Sequence, residues 1–215
     1  RAVPGGAVFG RTVLSQRHAL LGDPVVWLPP FARLAVAVGP GGLVYEDGLA
    51  EPRSLVEWTV DAGPVVLLAS EDVAYRGVRF DGERLGWIEY REPASSTEFG
   101  RRTLAVADLA SVRAGRDEAL RYELGPGGPQ FNWVLSNGWA IAAETEVGGE
   151  LIAIRLATRE VFALDAPDDA SFSPLLAVTA SGRIGTGYRP DGTFGRIQTI
   201  WMLEADALSL KEALP

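Results

Sequence analysis

Cysteine is absent from this 215-residue chain, and histidine and lysine occur once each, at His18 and Lys211. Without cysteine there are no disulfides, thiolate metal sites or cysteine nucleophiles, and the redox compartment is left open. Long apolar runs are missing as well. The stretches "DPVVWLPPFA" at 23–32 and "PVVLLAS" at 64–70 fall far short of the roughly 20 residues that a membrane-spanning helix requires, so no transmembrane segment is expected. Basic charge is in the minority: 20 Lys and Arg against 28 Asp and Glu give a net charge of -8. A field of that sign repels nucleic acid. The sequence opens on Arg1 with no Met, basic n-region or apolar h-region, which points to a removed leader or an excised piece.

What the chain does have is apolar substance, 47% of its residues with 22% charged, enough for a substantial core. Short apolar segments alternate with Gly, Pro, Asp and Asn clusters, and few runs hold a helical period, which is an all-β pattern. Four stretches share the form strand, turn cluster, strand: "VVWLPPFARLAVAVGPGG", "GVRFDGERLGWIEYRE", "FNWVLSNGWAIAAETE" and "LLAVTASGRIGTGYRP". Their turns centre near Phe31, Gly82, Gly138 and Gly182, about 51, 56 and 44 residues apart, within the spacing of propeller blades.

A third and a fourth strand follow each hairpin, as in "RTLAVADLAS" then "ALRYELG", or "GELIAIRLAT" then "REVFALDAP". Four antiparallel strands per repeat make a β-propeller blade; a β-sandwich is the competing arrangement. The expected architecture is all-β, a β-propeller of four-stranded antiparallel blades, with four or five blades or a segment of a larger propeller. One domain over 1–215 would carry repeats at about 22–63, 64–125, 126–167 and 168–215, with 1–21 as strands of a closing or partial blade. Blades stacked on both sides explain why "RLGWIEYR" is apolar on both faces, with Leu85 and Trp87 packing one way and Ile88 and Tyr90 the other. The stretch "SVRAGRDEALRYEL" reads as a loop leading into a strand, with a helix as its rival.

"VRFDGERLGWIEYRE" followed by "TLAVADLAS" resembles the blade motif of TolB-type and prolyl-oligopeptidase-type propellers. In that motif a Ser-Pro-Asp-Gly-like turn separates two strands and a third ends in Asp-Leu. The match runs best over Phe80 to Leu109 and more loosely over Phe131 to Leu156. "FDGE" lacks the Ser-Pro, "VLSNG" and "TASGR" keep only the turn, and the markers of WD repeats are missing. The resemblance concerns fold, because propellers host unrelated activities. By analogy with TolB-type relatives it implies a bacterial protein outside the cytoplasm, in the periplasm or on the cell surface.

Chemistry-bearing patterns are sparse. No Gly-x-Ser-x-Gly elbow accompanies His18, so serine hydrolase chemistry has neither a nucleophile nor a supported base. One His, no Cys and no EF-hand spacing argue for no metal and no cofactor. "GPGG" at 39–42 and 125–128 reads as turns rather than phosphate loops.

The segments entering each first strand approach the propeller axis, and they carry Asp23, Glu71, Asp72, Arg76, Gln130, Asn132, Asp168, Asp169 and Phe172. Of these, Asp23, Asp72, Arg76, Gln130, Asn132, Asp169 and Phe172 form the expected ligand-binding set at the channel mouth. No catalytic residue is assigned. Acids in an acidic protein mostly solvate its surface or cap turns.

The function expected is therefore a non-catalytic binding or scaffold module for a protein, peptide or glycan ligand. One alternative is a five-bladed glycoside hydrolase using channel-mouth carboxylates such as Asp23 and Asp169, which would act as a proton donor and a base or nucleophile. Another is a structural subunit of a larger chain or assembly. Ring closure predicts that Ala7 to Leu14 pair beside Ile200 to Leu203, with "SLKEALP" helical or frayed.

Overall fold

The computed structural model describes residues 7–9, 17–20, 25–28, 32–38, 42–47, 52–59, 61–95, 98–127, 132–143, 151–164, 170–178, 184–190, 199–204 and 209–214. Two compact units divide the chain, Arg1–Glu123 and Leu124–Pro215.

In the first unit β1 (Ala7–Phe9), β2 (Arg17–Leu20) and β3 (Val25–Leu28) form a three-stranded sheet. The next sheet runs β4 (Ala32–Ala37), β5 (Gly42–Asp47), β6 (Arg53–Thr59) and β7 (Gly63–Ser70). A second four-stranded sheet follows with β8 (Ala74–Phe80), β9 (Arg84–Arg91), β10 (Gly100–Asp108) and, after the short helix α1 (Leu109–Arg113), β11 (Leu120–Gly127). The later unit holds a sheet of β12 (Trp133–Ser136), β13 (Trp139–Ala143), β14 (Leu151–Arg155) and β15 (Glu160–Leu164). Its other sheet contains β16 (Ala170–Val178), β17 (Ile184–Pro190), β18 (Thr199–Glu204) and β19 (Ser209–Leu214). Each four-stranded sheet is a meander whose neighbours in space are neighbours in sequence.

Turn chemistry sets the hairpins. Between β12 and β13, Asn137 and Gly138 adopt φ of 49° and 79°, the pair of positive values that a two-residue type I′ turn demands and that Asn-Gly supplies at least strain. Between β8 and β9 the Asp81 carboxylate accepts the backbone N–H groups of Glu83 at 3.1 Å and Arg84 at 2.8 Å, and Gly82 takes φ 109°.

Burial shows both apolar faces of β9. Leu85 and Trp87 join a cluster with Val44 and Leu55 of the preceding sheet and with Ala105 and Ala107 of β10. Ile88 and Tyr90, of opposite parity, are buried too. Ion pairs tie the same sheets together, among them Arg53 to Glu92 at 2.8 Å and Arg113 of α1 to Glu57 of β6.

The structure corrects three expectations. Val25–Leu28 does not form a hairpin with Ala32–Ala37. It pairs with Arg17–Leu20, Arg17 opposite Leu28 and Leu20 opposite Val25, so the first repeat is offset by one strand. Tandem prolines, Pro29 and Pro30, lie between the two segments and disfavour a tight hairpin there. Nor do Ala7–Phe9 pair beside Ile200–Leu203. Their ladder is with His18–Leu20, while β18 has β17 on one side and β19 on the other, leaving no edge for a further strand. Residues 10–14 lie outside the described residues. The third correction is "SLKEAL", which is strand β19: β18 pairs with it from Ile200 to Glu204, with a register shift between Ile200 and Trp201.

The loop expected before β11 is present, preceded by one helical turn. Leu109 and Val112 bury themselves in the core, and the turn ends where Gly115, at φ 68°, donates its N–H to the Val112 carbonyl at 3.0 Å.

Candidate functional site at a strand bulge

β8 is an edge strand of its sheet, opening one of the four-stranded meanders. Its ladder with β9 pairs Arg76 with Ile88 and Arg79 with Gly86, so Gly77 and Val78 on β8 stand against Trp87 alone on β9. One extra residue is therefore bulged out, and Gly77 within it adopts φ 60°, the left-handed region that costs glycine little. In a regular strand, residues three apart point to opposite faces. The bulge cancels that alternation and gives the two arginines equivalent positions along β9.

Both arginines act around one carboxylate. Glu46 of β5 is 1% exposed. Its Oε1 accepts the N–H of Val78 at 3.4 Å, and its Oε2 lies 3.9 Å from Nη1 of Arg76. A buried carboxylate is costly unless paired and hydrogen-bonded, and the bulge supplies both partners. Burial pulls the Arg79 guanidinium below its usual range, and the charge of Glu46 partly restores it. Arg76 Nη1 also donates to its neighbour's carbonyl, Tyr75 O, at 3.4 Å, and Arg79 Nη1 to Val78 O at 2.9 Å. The Arg76 side chain keeps 15% of its surface exposed, so this cluster reaches solvent.

Asp72 is exposed in the turn before β8, where its backbone N–H donates to Ser70 Oγ at 3.2 Å, and Glu71 is exposed beside it. Asp72 and Arg76 thus belong to one turn-and-strand segment. Asn132 is half-buried immediately before β12 in the second unit, and Phe172 sits on β16 with its backbone opposite Tyr188. Asp23, Gln130, Asp168 and Asp169 lie outside the described residues. Of the expected set, Arg76 is the member placed within a charged cluster. The reading from sequence missed Glu46 and Arg79. Two signals pointed there: glycine inside the strand pattern "YRGVRF", which marks a bulge, and a charge at Glu46 in phase with buried Val44.

Among the described residues no group of three or more His, Asp or Glu is placed to hold a metal ion, and no helix is long and apolar enough to cross a membrane.

No protein-family model matches the chain, and no curated protein matches it. Solved structures do. The acylaminoacyl peptidase of Pyrococcus horikoshii aligns over 92% of this chain and 34% of its own, with a TM-score of 0.60 and 9% identity. TolB from Acinetobacter baumannii aligns over 93% and 48%, with a TM-score of 0.56 and 10% identity. A puromycin-hydrolysing peptidase of Mycobacterium tuberculosis aligns over 100% and 38%, with a TM-score of 0.57 and 15% identity. The chain spans a third to a half of the length of these proteins, and at such identities the likeness is one of fold. Meander sheets of four antiparallel strands, together with these neighbours, make the chain a β-propeller of four-stranded blades, similar in fold to TolB and to the propellers of prolyl-oligopeptidase-type peptidases.

Proposed function

We infer that the chain is a non-catalytic binding or scaffold propeller that recognises a peptide, protein or glycan at the first-strand end of its blades. The observation that supports this most is the segment Asp72 to Arg79. It opens a blade and carries a solvent-reaching guanidinium at a bulge, and bulges often re-aim side chains beside functional sites. Hydrolysis by the peptidase neighbours is not carried over, since the chain has no Gly-x-Ser-x-Gly elbow and His18 is its sole histidine. Analogy with TolB-type propellers favours a position outside the cytoplasm.

A library of immobilised peptides and glycans tests the reading. The parent chain is expected to retain a subset without turning it over, and the double variant Asp72→Asn/Arg76→Gln to lose that subset. Release of products from arabinan-type glycans would overturn it in favour of a hydrolase, and a library from which nothing is retained would overturn it as well, without favouring one.

A further inference from the structure

Arg91 closes β9 and Arg101 stands at the start of β10, directly opposite one another in the ladder. Residues so placed share a face, with Cβ atoms about 4.5–5.5 Å apart, and like charges there destabilise the sheet. Both are exposed. Among the described residues neither guanidinium has an ion-pair partner, although the chain carries 28 acids against 20 bases. The acids nearby do not compensate them: Arg53 holds Glu92 at 2.8 Å, Arg121 holds Glu89 at 3.1 Å, and Glu98 pairs with neither arginine. Phe99, two residues before Arg101, is 70% exposed, more than any other large apolar side chain among the described residues. Gly100 between them lies under the ring of Tyr90, which fixes the backbone that presents both. Ala74, the first residue of β8, lies opposite Tyr90. The arginine pair is therefore at the end of the blade where β8 begins, the end that carries Asp72.

We propose that Arg91, Arg101 and Phe99 form a docking surface for an acidic segment of a partner protein, taking Asp or Glu carboxylates at the arginines and an apolar side chain against the phenyl ring. The proposal rests on the binding reading given above and names the partner chemistry it selects. Guanidinium forks match carboxylates bidentately, and a carboxylate between the two arginines removes the repulsion that the free sheet carries. A sulfated glycan would satisfy the arginines too, but it would leave Phe99 in water. Aromatic and Arg side chains together mark the anchors of protein interfaces.

The experiment measures calorimetric binding of three probes: acetyl-Glu-Glu-Leu-Leu-Glu-Glu-amide, the same peptide with Gln for every Glu, and a sulfated hexasaccharide. The acidic peptide is expected to bind about tenfold or more tighter than its Gln counterpart, the size of one charge-assisted contact. Rising salt should weaken it. Arg101→Glu is expected to abolish the preference while raising the urea midpoint at low salt, because Glu opposite Arg91 replaces repulsion with attraction. Binding lost from a chain that folds better is not a folding defect. Phe99→Ala should weaken the acidic peptide several-fold and leave the midpoint unchanged. Equal binding of the two peptides, or an unchanged preference in Arg101→Glu, overturns the docking surface. A lower midpoint for Arg101→Glu overturns it too, since Arg101 would then be stabilising the fold. Preference for the hexasaccharide over the acidic peptide overturns it in favour of a glycan. Failure of all three probes likewise overturns it, and the immobilised library, with its Asp72→Asn/Arg76→Gln variant, then judges the binding reading separately.

Discussion

Arg113, the last residue of α1, grips the Glu57 carboxylate of β6 with Nε at 2.9 Å from Oε2 and Nη2 against Oε1. The pair joins two successive blades of the first unit. Glu57 is 7% exposed and Arg113 47%. Removing one partner of a fully buried pair costs about 3–5 kcal/mol, and solvent around Arg113 reduces this to about 1–2 kcal/mol for Arg113→Ala. Urea unfolding will show the loss, and Glu57→Gln/Arg113→Ala should be closer to the parent than the sum of the single changes.

Trp87 is 1% exposed at the centre of the core cluster, and its Nε1 donates to Glu89 Oε1 at 3.3 Å. Trp87→Ala is expected to cost about 3–5 kcal/mol, read as a lower denaturant midpoint. An unchanged midpoint would contradict the packing of β9 against the preceding sheet.

The ring of Tyr90 covers Gly100, so that a Cβ added there would collide with Cε2, Cζ and Oη of the phenol. Gly100→Ala should therefore cost about 1–3 kcal/mol as overpacking. The cost should shrink in a Tyr90→Leu background, and a double-mutant cycle by thermal or urea unfolding measures the coupling.

Burial raises the phenols of Tyr45 and Tyr75 above their ordinary 10.0, with Asp47 adding to the first shift. For Tyr75, Glu89 and Asp117 push the same way and Arg121 opposes them. A raised acid holds its proton longer folded than unfolded. These groups therefore leave stability unchanged below the ordinary phenol range and erode it as the pH rises above that range towards their folded values. Between pH 8 and pH 11, roughly spanning that range, Tyr75→Phe should lose less of its urea midpoint than the parent does.

Val65 and Val66 are 49% and 59% exposed on β7, an edge strand without a charge from Gly63 to Ser70. The corresponding strand β11 shows solvent Arg121 and Glu123. Val66→Lys is expected to change stability by less than about 0.5 kcal/mol and to slow aggregation on heating, followed by light scattering, because a charge guards the edge.

How far the sequence spoke depended on the range of the interaction. Asn137-Gly138 and Asp81-Gly82 announce their hairpins because positive φ and side-chain capping are properties of adjacent residues. The double-sided apolar pattern of β9 is likewise a local pattern, and it implies a strand packed on both faces, as blades require. Partner choice is not local. Val25–Leu28 has the same strand propensity whether it pairs with Arg17–Leu20 or with Ala32–Ala37, and only the assembled sheets select the first. "SLKEAL" could have been helical, and the ladder offered by β18 makes it a strand. The charged cluster shows the same limit. Glycine in "YRGVRF" hinted at a bulge, but Glu46 lies thirty residues away on another sheet, and its approach to Arg76 follows from how two blades stack. Local conformational energies are written in neighbouring residues; contacts between distant segments exist only once the tertiary structure has paid their ordering entropy.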